Sequence, residues 1–302
     1  MLTRATVLGG LVAVGALGTL AASLAGQQPA QQRAALPDAE KVKDNLYVIM
    51  ASTPGQGFTG GNVGVFVTDT GVVVVDTKLA GYGPDLIARI KKITDKPVTT
   101  IINTHTHGDH TGSNEGFPSS VEIIAHENTK ANMMKMDAFK GEKAQFLPKK
   151  TYTDKLSIGA GKNRVDLYYF GAGHTNGDTF IVYPALRVLQ AGDMFAWKDA
   201  PLYDRSNGGS GVEHPKSFAK LVAAVKNVDT VIPGHSPVTT WKDLQEYGRY
   251  TADLLAQTEA AIKAGKSGDE AGKSIDLTAK YPGYKNERVA AAVTAIYAEL
   301  KK

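Results

Sequence analysis

A chain of 302 residues, 42% of them hydrophobic, is long enough for one large buried core or two small ones. Its formal charge is only +4, and its 21% charged residues form no concentrated basic run, which argues against a nucleic-acid partner. There is no cysteine, so disulfides and thiolate metal ligands are excluded.

Residues 1–25 differ from everything that follows. Arg4 precedes an uncharged Ala/Leu/Val/Gly run, and Ser23-Leu24-Ala25 sets small residues at the spacing of a cleavage site before Gly26. The segment has the form of a secretory signal peptide. An uncleaved anchor is the competing reading, because the uncharged run from Ala5 to Ala30 could span a bilayer. Its small-residue composition favours cleavage. A periplasmic or secreted bacterial protein, with no stable membrane association after cleavage, is expected. The organisation read from composition is a signal peptide over 1–25, a Gln/Ala/Pro-rich linker over 26–40 and one domain over 41–302.

Strands are predicted over Asn45–Met50, Asn62–Thr68 and Val72–Asp76, with Asp69-Thr70-Gly71 as the turn between the last two. The glycine-rich stretch Ala51–Gly61 can be a mobile flap or a long hairpin connection. Gly83-Pro84 opens a helix whose Leu86, Ile90 and Ile93 form one apolar stripe. The β-branched run Val98–Asn103 reads as a buried strand.

That strand delivers Thr104-His105-Thr106-His107-Gly108-Asp109-His110, three of the chain's 7 histidines beside an aspartate. Zinc takes such ligands at about 2.0–2.2 Å, so several side chains must converge on one point. In an extended segment His105 and His107 share a side, and a turn at Gly108 lets Asp109 and His110 address another point. The pattern predicts two metal positions. Four surface residues in a threonine-rich loop is the bland alternative, and this spacing makes it improbable.

The second half repeats the theme. Val121–Ala125 is a strand, followed by His126 in a structural turn and a helix around Asn128–Met136. Arg164–Phe170 leads into Gly171-Ala172-Gly173-His174; Thr179–Tyr183 and Leu186–Gln190 form a hairpin ending near Asp193; and Val228–Ile232 runs into Pro233-Gly234-His235. Each strand group ends in a metal-capable side chain, as two duplicated βα halves would. His214 is expected as a turn residue before a helix, with a substrate-side proton donor as the minority reading. Apolar stripes at Phe218, Leu221, Val222 and Val225, at Leu244, Tyr247, Leu254 and Leu255 after a Thr240 N-cap, and from Val289 to Leu300 predict three more helices. The glycine-rich Ser206–Gly211, after Trp197 and Tyr203, is expected to border the substrate cleft.

His105-Thr-His107-Gly-Asp109-His110 resembles the signature of the metallo-β-lactamase superfamily, and the match extends over most of the chain after residue 40. The resemblance implies an α/β (α+β) fold, the four-layer αβ/βα sandwich. It implies that His105, His107 and His174 hold one Zn²⁺, that Asp109, His110 and His235 hold a second, and that Asp193 bridges both. It makes Asp76 a structural aspartate near the metal loop and Asp109 the catalytic residue that orients a hydroxide shared by the ions. The small-molecule substrate is then an activated carbonyl: ester, lactone, thioester or lactam. Zinc β-lactamases with a Cys ligand are excluded by composition, and the branch sharing this signature usually lacks the bridging Asp, so β-lactam hydrolysis stands as the alternative. An iron-dependent sulfur dioxygenase, using His105, His107, His174 and Asp193, is the second alternative. A non-catalytic metal binder is the third.

Overall fold

Two sheets form around the predicted apolar runs. The computed structural model describes residues 33–52 and 57–301. The expected signal peptide, the linker up to residue 32 and residues 53–56 of the glycine-rich loop lie outside the described residues. The first sheet runs in chain order: β1 (Ala39–Lys43), β2 (Leu46–Ile49), β3 (Val63–Val67), β4 (Val72–Val75), β5 (Val98–Ile102), β6 (Glu122–His126) and β7 (Lys150–Tyr152). Its first four strands are antiparallel; β4 through β7 run parallel. The second sheet contains β8 (Lys155–Ile158), β9 (Val165–Tyr168), β10 (Phe180–Tyr183), β11 (Val188–Gly192), β12 (Thr230–Pro233) and β13 (Thr239–Thr240), in the order β13-β12-β11-β10-β9-β8. There β11 and β12 are the parallel pair.

The period-two alternation of each strand explains the layering. In β4, Val73 and Val75 enter a core shared with Leu167, Ile181 and Val188 of the second sheet. Val72 and Val74 face the other way, against Leu86 and Ile90 of α1 (Gly83–Lys91). The short helices α2 (Gly108–Thr111) and α3 (Glu127–Met133) follow β5 and β6. On the far side, Phe180, Val182 and Leu189 pack on Phe218 and Leu221 of α4 (His214–Ala224), and on Leu244, Tyr247 and Leu254 of α5 (Trp241–Lys263). Beyond α6 (Gly268–Ser274), Val293 and Ile296 of α7 (Val289–Leu300) join the same core. Helix, sheet, sheet, helix: this is the expected four-layer sandwich. Each fully buried aliphatic side chain contributes about 1.5–3 kcal/mol, so the three cores outweigh any single surface contact.

Local signals behave as their chemistry dictates. Thr240 caps α5 in a capping box with Asp243, and proline occupies the first turn of α1. The strand expected from Leu186 starts at Val188 instead, because Pro184–Leu186 forms a 3-10 turn closed by Arg187 at φ 59°. The expected helix over Asn128–Met136 stops at Met133. The compact unit extends from Ala34. Leu36 is buried, and Arg89 of α1 donates to the Leu36 and Pro37 carbonyls, so packing begins ahead of residue 41. Among the described residues, no helix is long and apolar enough to cross a membrane.

His214 heads α4 with no exposure; its Nε2 lies 3.1 Å from the Met194 carbonyl and its Nδ1 3.3 Å from the Tyr203 hydroxyl. Burial lowers its pKa from 6.5 to about 3, leaving it a neutral packing group rather than a proton donor to substrate. Between those values the unfolded chain binds a proton that the folded chain refuses. Stability is therefore present above pH 6.5 and lost as pH falls toward 3, at up to roughly 1.4 kcal/mol per unit. We expect His214→Gln to lower stability at neutral pH but to flatten this acid slope, as measured by urea denaturation at stepped pH. Parallel slopes for the two proteins would refute the assignment.

Candidate metal centre

The centre is built where strands of both sheets end. Two βαβ units frame it: β4-α1-β5 and β11-α4-β12. The first strand of each unit stops at an aspartate, Asp76 or Asp193. The second delivers histidines, His105 to His110 from β5 and His235 from β12. His174 comes from the loop between β9 and β10.

The expected side chains converge. His105, His107 and His174 form one group, and Asp109, His110 and His235 form another. Asp193 groups with His105 and His110, and the donor atoms within each group lie within 4.8 Å. His174 Nε2 is 2.9 Å from His107 Nδ1, and His110 Nε2 is 3.2 Å from His235 Nε2. Asp109 Oδ2 stands 3.6 Å from His110 Nε2 and 3.4 Å from His235 Nε2. A tetrahedral zinc with ligands at about 2.0–2.1 Å has edges of roughly 3.3 Å, the scale of these spacings. Asp193 reaches both groups: Oδ1 is 3.2 Å from His110, while Oδ2 is 3.1 Å from His235 and 3.7 Å from His174. Burial opposes the Asp193 charge, yet His235 and His110 hold its carboxyl well below the usual range.

Four of the five rings are held from behind, and His235 Nδ1 is buried without a hydrogen-bond partner. Asp76 accepts from the Thr104 amide and hydroxyl at 2.8 and 2.7 Å, and lies 2.7 Å from His110 Nδ1. The Thr104 hydroxyl is 3.0 Å from His105 Nδ1. His174 Nδ1 faces the Leu202 carbonyl at 2.7 Å, and His107 Nε2 faces Asp204 Oδ2 at 2.7 Å. An acceptor on the outer nitrogen keeps the proton there and leaves the inner lone pair free. His105 Nε2 is buried without a hydrogen-bond partner, as fits a donor atom kept for a cation. Burial, with His110 nearby, lowers the His105 pKa well below 6.5, which keeps that ring neutral.

Close approach demands glycine at two places. A Cβ on Gly61 would sit 2.1 Å from the His110 ring, and one on Gly234 would sit 2.0 Å from Asp193 Oδ1. Gly61 also donates to the Asp109 carbonyl, so the end of the glycine-rich loop is tied to the metal loop. Further along that loop, Phe58 is 53% exposed and 5.6 Å from the His235 ring. A cleft of about 400 Å³ opens over His107, Asp109, Asp193 and His235, with Phe58, Trp197, Leu202 and Arg288 around it.

His126 lies apart, as expected. It caps α3 through Asn128, meets the Thr153 carbonyl at 2.7 Å and stacks on Tyr169 at 3.9 Å. The Ser206–Gly211 stretch is a correction: it does not line the cleft but backs the His174 loop, where Ser210 donates to Gly173 and Gly209 to Asp204. Tyr203 is buried against His214. Asp204 was missed in the sequence reading. Its Asp-x-Ser-Asn setting signals a cap for the turn Arg205–Asn207, which it makes, but nothing local points to His107. Burial works against the Asp204 charge, while His107, Ser206 and Asn207 hold its carboxyl well below the usual range. Lys78 was missed too. It is fully buried with Nζ on the Met50 carbonyl, and burial lowers its ammonium to about 7 against the pull of Asp109 and Asp76.

The metallo-beta-lactamase superfamily model matches residues 56–235. A metallo-beta-lactamase type 2 from Elizabethkingia meningoseptica is 29% identical over 238 residues, which cover 74% of this chain and 87% of that protein. The 2,4-dinitroanisole O-demethylase subunit alpha of a Nocardioides species is 32% identical over 142 residues, 43% of this chain and 41% of that one. In structure, a metallo-beta-lactamase from Pontibacter korlensis superposes with a TM-score of 0.59 at 19% identity, covering 72% of this chain and 99% of its own.

Orienting partners of ligand histidines typically govern metal affinity by ten- to a hundredfold. Asp204→Ala should therefore weaken divalent-ion binding by about that factor in a chelator competition. Unchanged affinity would show that Asp204 merely caps its turn.

Proposed function

The chain belongs to the metallo-β-lactamase superfamily of metal-dependent hydrolases, and on that premise we propose a binuclear zinc hydrolase that cleaves an activated carbonyl in a small molecule. The observation that carries this reading is Asp193, within 3.1–3.7 Å of histidines from both groups. His105, His107 and His174 would hold one ion, and Asp109, His110 and His235 the other, with Asp193 shared. When bound, two zinc ions would supply Lewis acidity and lower the pKa of water toward about 7. Every other role falls to the chain. The Asp193 carboxylate offsets repulsion between two cations. Asp109, at the cleft floor with its side chain 22% exposed, orients the attacking water and takes up its proton. Asp76, Thr104, Leu202 and Asp204 keep the imidazoles aimed inward. Phe58 and Trp197 flank the reacting group and exclude bulk water.

Ester, lactone and thioester cleavage is proposed to be at least as fast as β-lactam cleavage. The shared Asp193 and the absence of cysteine support that order. The resemblance to a protein named for O-demethylation also supports a range wider than lactams. Relatives named metallo-beta-lactamase type 2 favour the second reading, β-lactam hydrolysis. A single-iron dioxygenase would leave Asp109, His110 and His235 without a task.

One experiment addresses both metal and substrate. Zinc-loaded protein should carry two ions per chain and show kcat/KM on lactones, aryl esters and thioesters matching or exceeding that on β-lactams. Asp193→Ala should lose one ion and most activity, whereas His126→Ala keeps both ions. A β-lactam preference of about a hundredfold, roughly 2.7 kcal/mol, would reverse the order of substrates. Two ions retained by Asp193→Ala would refute the shared carboxylate.

Export is part of the proposal, since residues 1–25 have the form of a signal peptide and the named relatives are bacterial. Protein from the native host should begin near Gly26 by mass spectrometry. An intact N-terminus in the cytoplasmic fraction would contradict it.

A further inference from the structure

Among the residues lining the cleft, Arg288 alone brings a permanent positive charge. It lies beyond the residues that the family model matches and immediately precedes α7. Its guanidinium carbon stands 4.1 Å over the Trp197 ring, and the Trp197 ring is 5.3 Å from that of His235. Those two contacts lead from the metal-capable cluster to the guanidinium. Nearby charges are otherwise engaged: Lys198 pairs with Asp243, Glu287 with Lys285, and the buried Asp199 carboxylate accepts from the Ala200 and Arg288 backbone amides. Among the described residues, no carboxylate forms an ion pair with Arg288.

We propose that Arg288 anchors a carboxylate on the substrate, so that the preferred substrates are activated carbonyl compounds carrying a second, anionic end. This rests on the hydrolase reading above and narrows it. An arginine fork matches a planar carboxylate through two parallel hydrogen bonds. A contact made over the Trp197 face restricts the side chain without consuming any N–H donor, so less entropy is lost when the anion arrives. A single fixed cation matches a monoanion better than a phosphate dianion. Phe58 and Trp197 provide apolar walls for the carbon chain between the two polar ends.

The test uses zinc-loaded protein in wild-type, Arg288→Gln and Arg288→Lys forms. In calorimetric titrations with glutarate and its neutral diamide, wild type should bind glutarate about tenfold tighter than Arg288→Gln, with Arg288→Lys between them. The diamide should show no comparable difference. In parallel, the ratio of kcat/KM for monophenyl glutarate over phenyl acetate should fall about tenfold in Arg288→Gln, chiefly through KM. Equal glutarate affinity in wild type and Arg288→Gln, or an unchanged ratio, overturns the assignment. Failure of all three proteins to cleave either ester counts against the hydrolase reading, while the titrations still decide the role of Arg288.

Discussion

Five imidazoles and two carboxylates crowded into one buried cleft are costly to hold together, and the fold is arranged around that crowding. Packing such groups out of water costs desolvation, and a charge on one imidazole disfavours a charge on the next. Four of the imidazoles stay aimed at a common region because each is held from its outer side by a hydrogen-bond partner. Asp76 is the centre of that support. It sits at φ 65°, a left-handed conformation that aspartate tolerates better than most residues. From there one carboxylate engages Thr104 and His110 together. The buried valines of β4 hold the backbone leading to it from both faces.

The two sheets contribute unequal halves of the same device. Parallel strand pairs need a helical crossover, and each of the two βαβ units buries its helix on an outer face. That places strand ends, and the loops beyond them, side by side along one rim. Asp193 and His235 come from the second sheet, His105 to His110 from the first, and hydrogen bonds from Asn62 to Pro233 and Ser236 join the two rims. Distance between ligand groups is thus governed by sheet-on-sheet packing, within which the buried Tyr183 hydroxyl donates to Gln190.

Much of this could be read from residue types because the signals are local. Buried strands are β-branched runs, helices carry stripes, and histidines at strand ends announce themselves. The strands that escaped, β1, β7, β8 and β13, are the four sheet edges. An edge strand pairs on one side only, so its sequence can be short and charged, as Ala-Glu-Lys-Val-Lys is in β1. The partners that escaped are remote in sequence. Asp204 lies 97 residues from His107, and Arg288 reaches the cleft only because the last helices fold back on the second sheet. No spacing rule carries that information. The glycines of 206–211 read as a cleft border on composition, whereas what they serve is close approach: a Cβ on Gly209 would lie 2.3 Å from the His174 carbonyl.

The proposed chemistry depends on a carboxylate shared between two ions. A crystal grown with zinc and measured at the zinc absorption edge tests it most directly. Two anomalous peaks about 3.5–4 Å apart are predicted, one on His105, His107 and His174, the other on Asp109, His110 and His235, with Asp193 touching both. A single peak, or two with Asp193 on neither or only one, would contradict it.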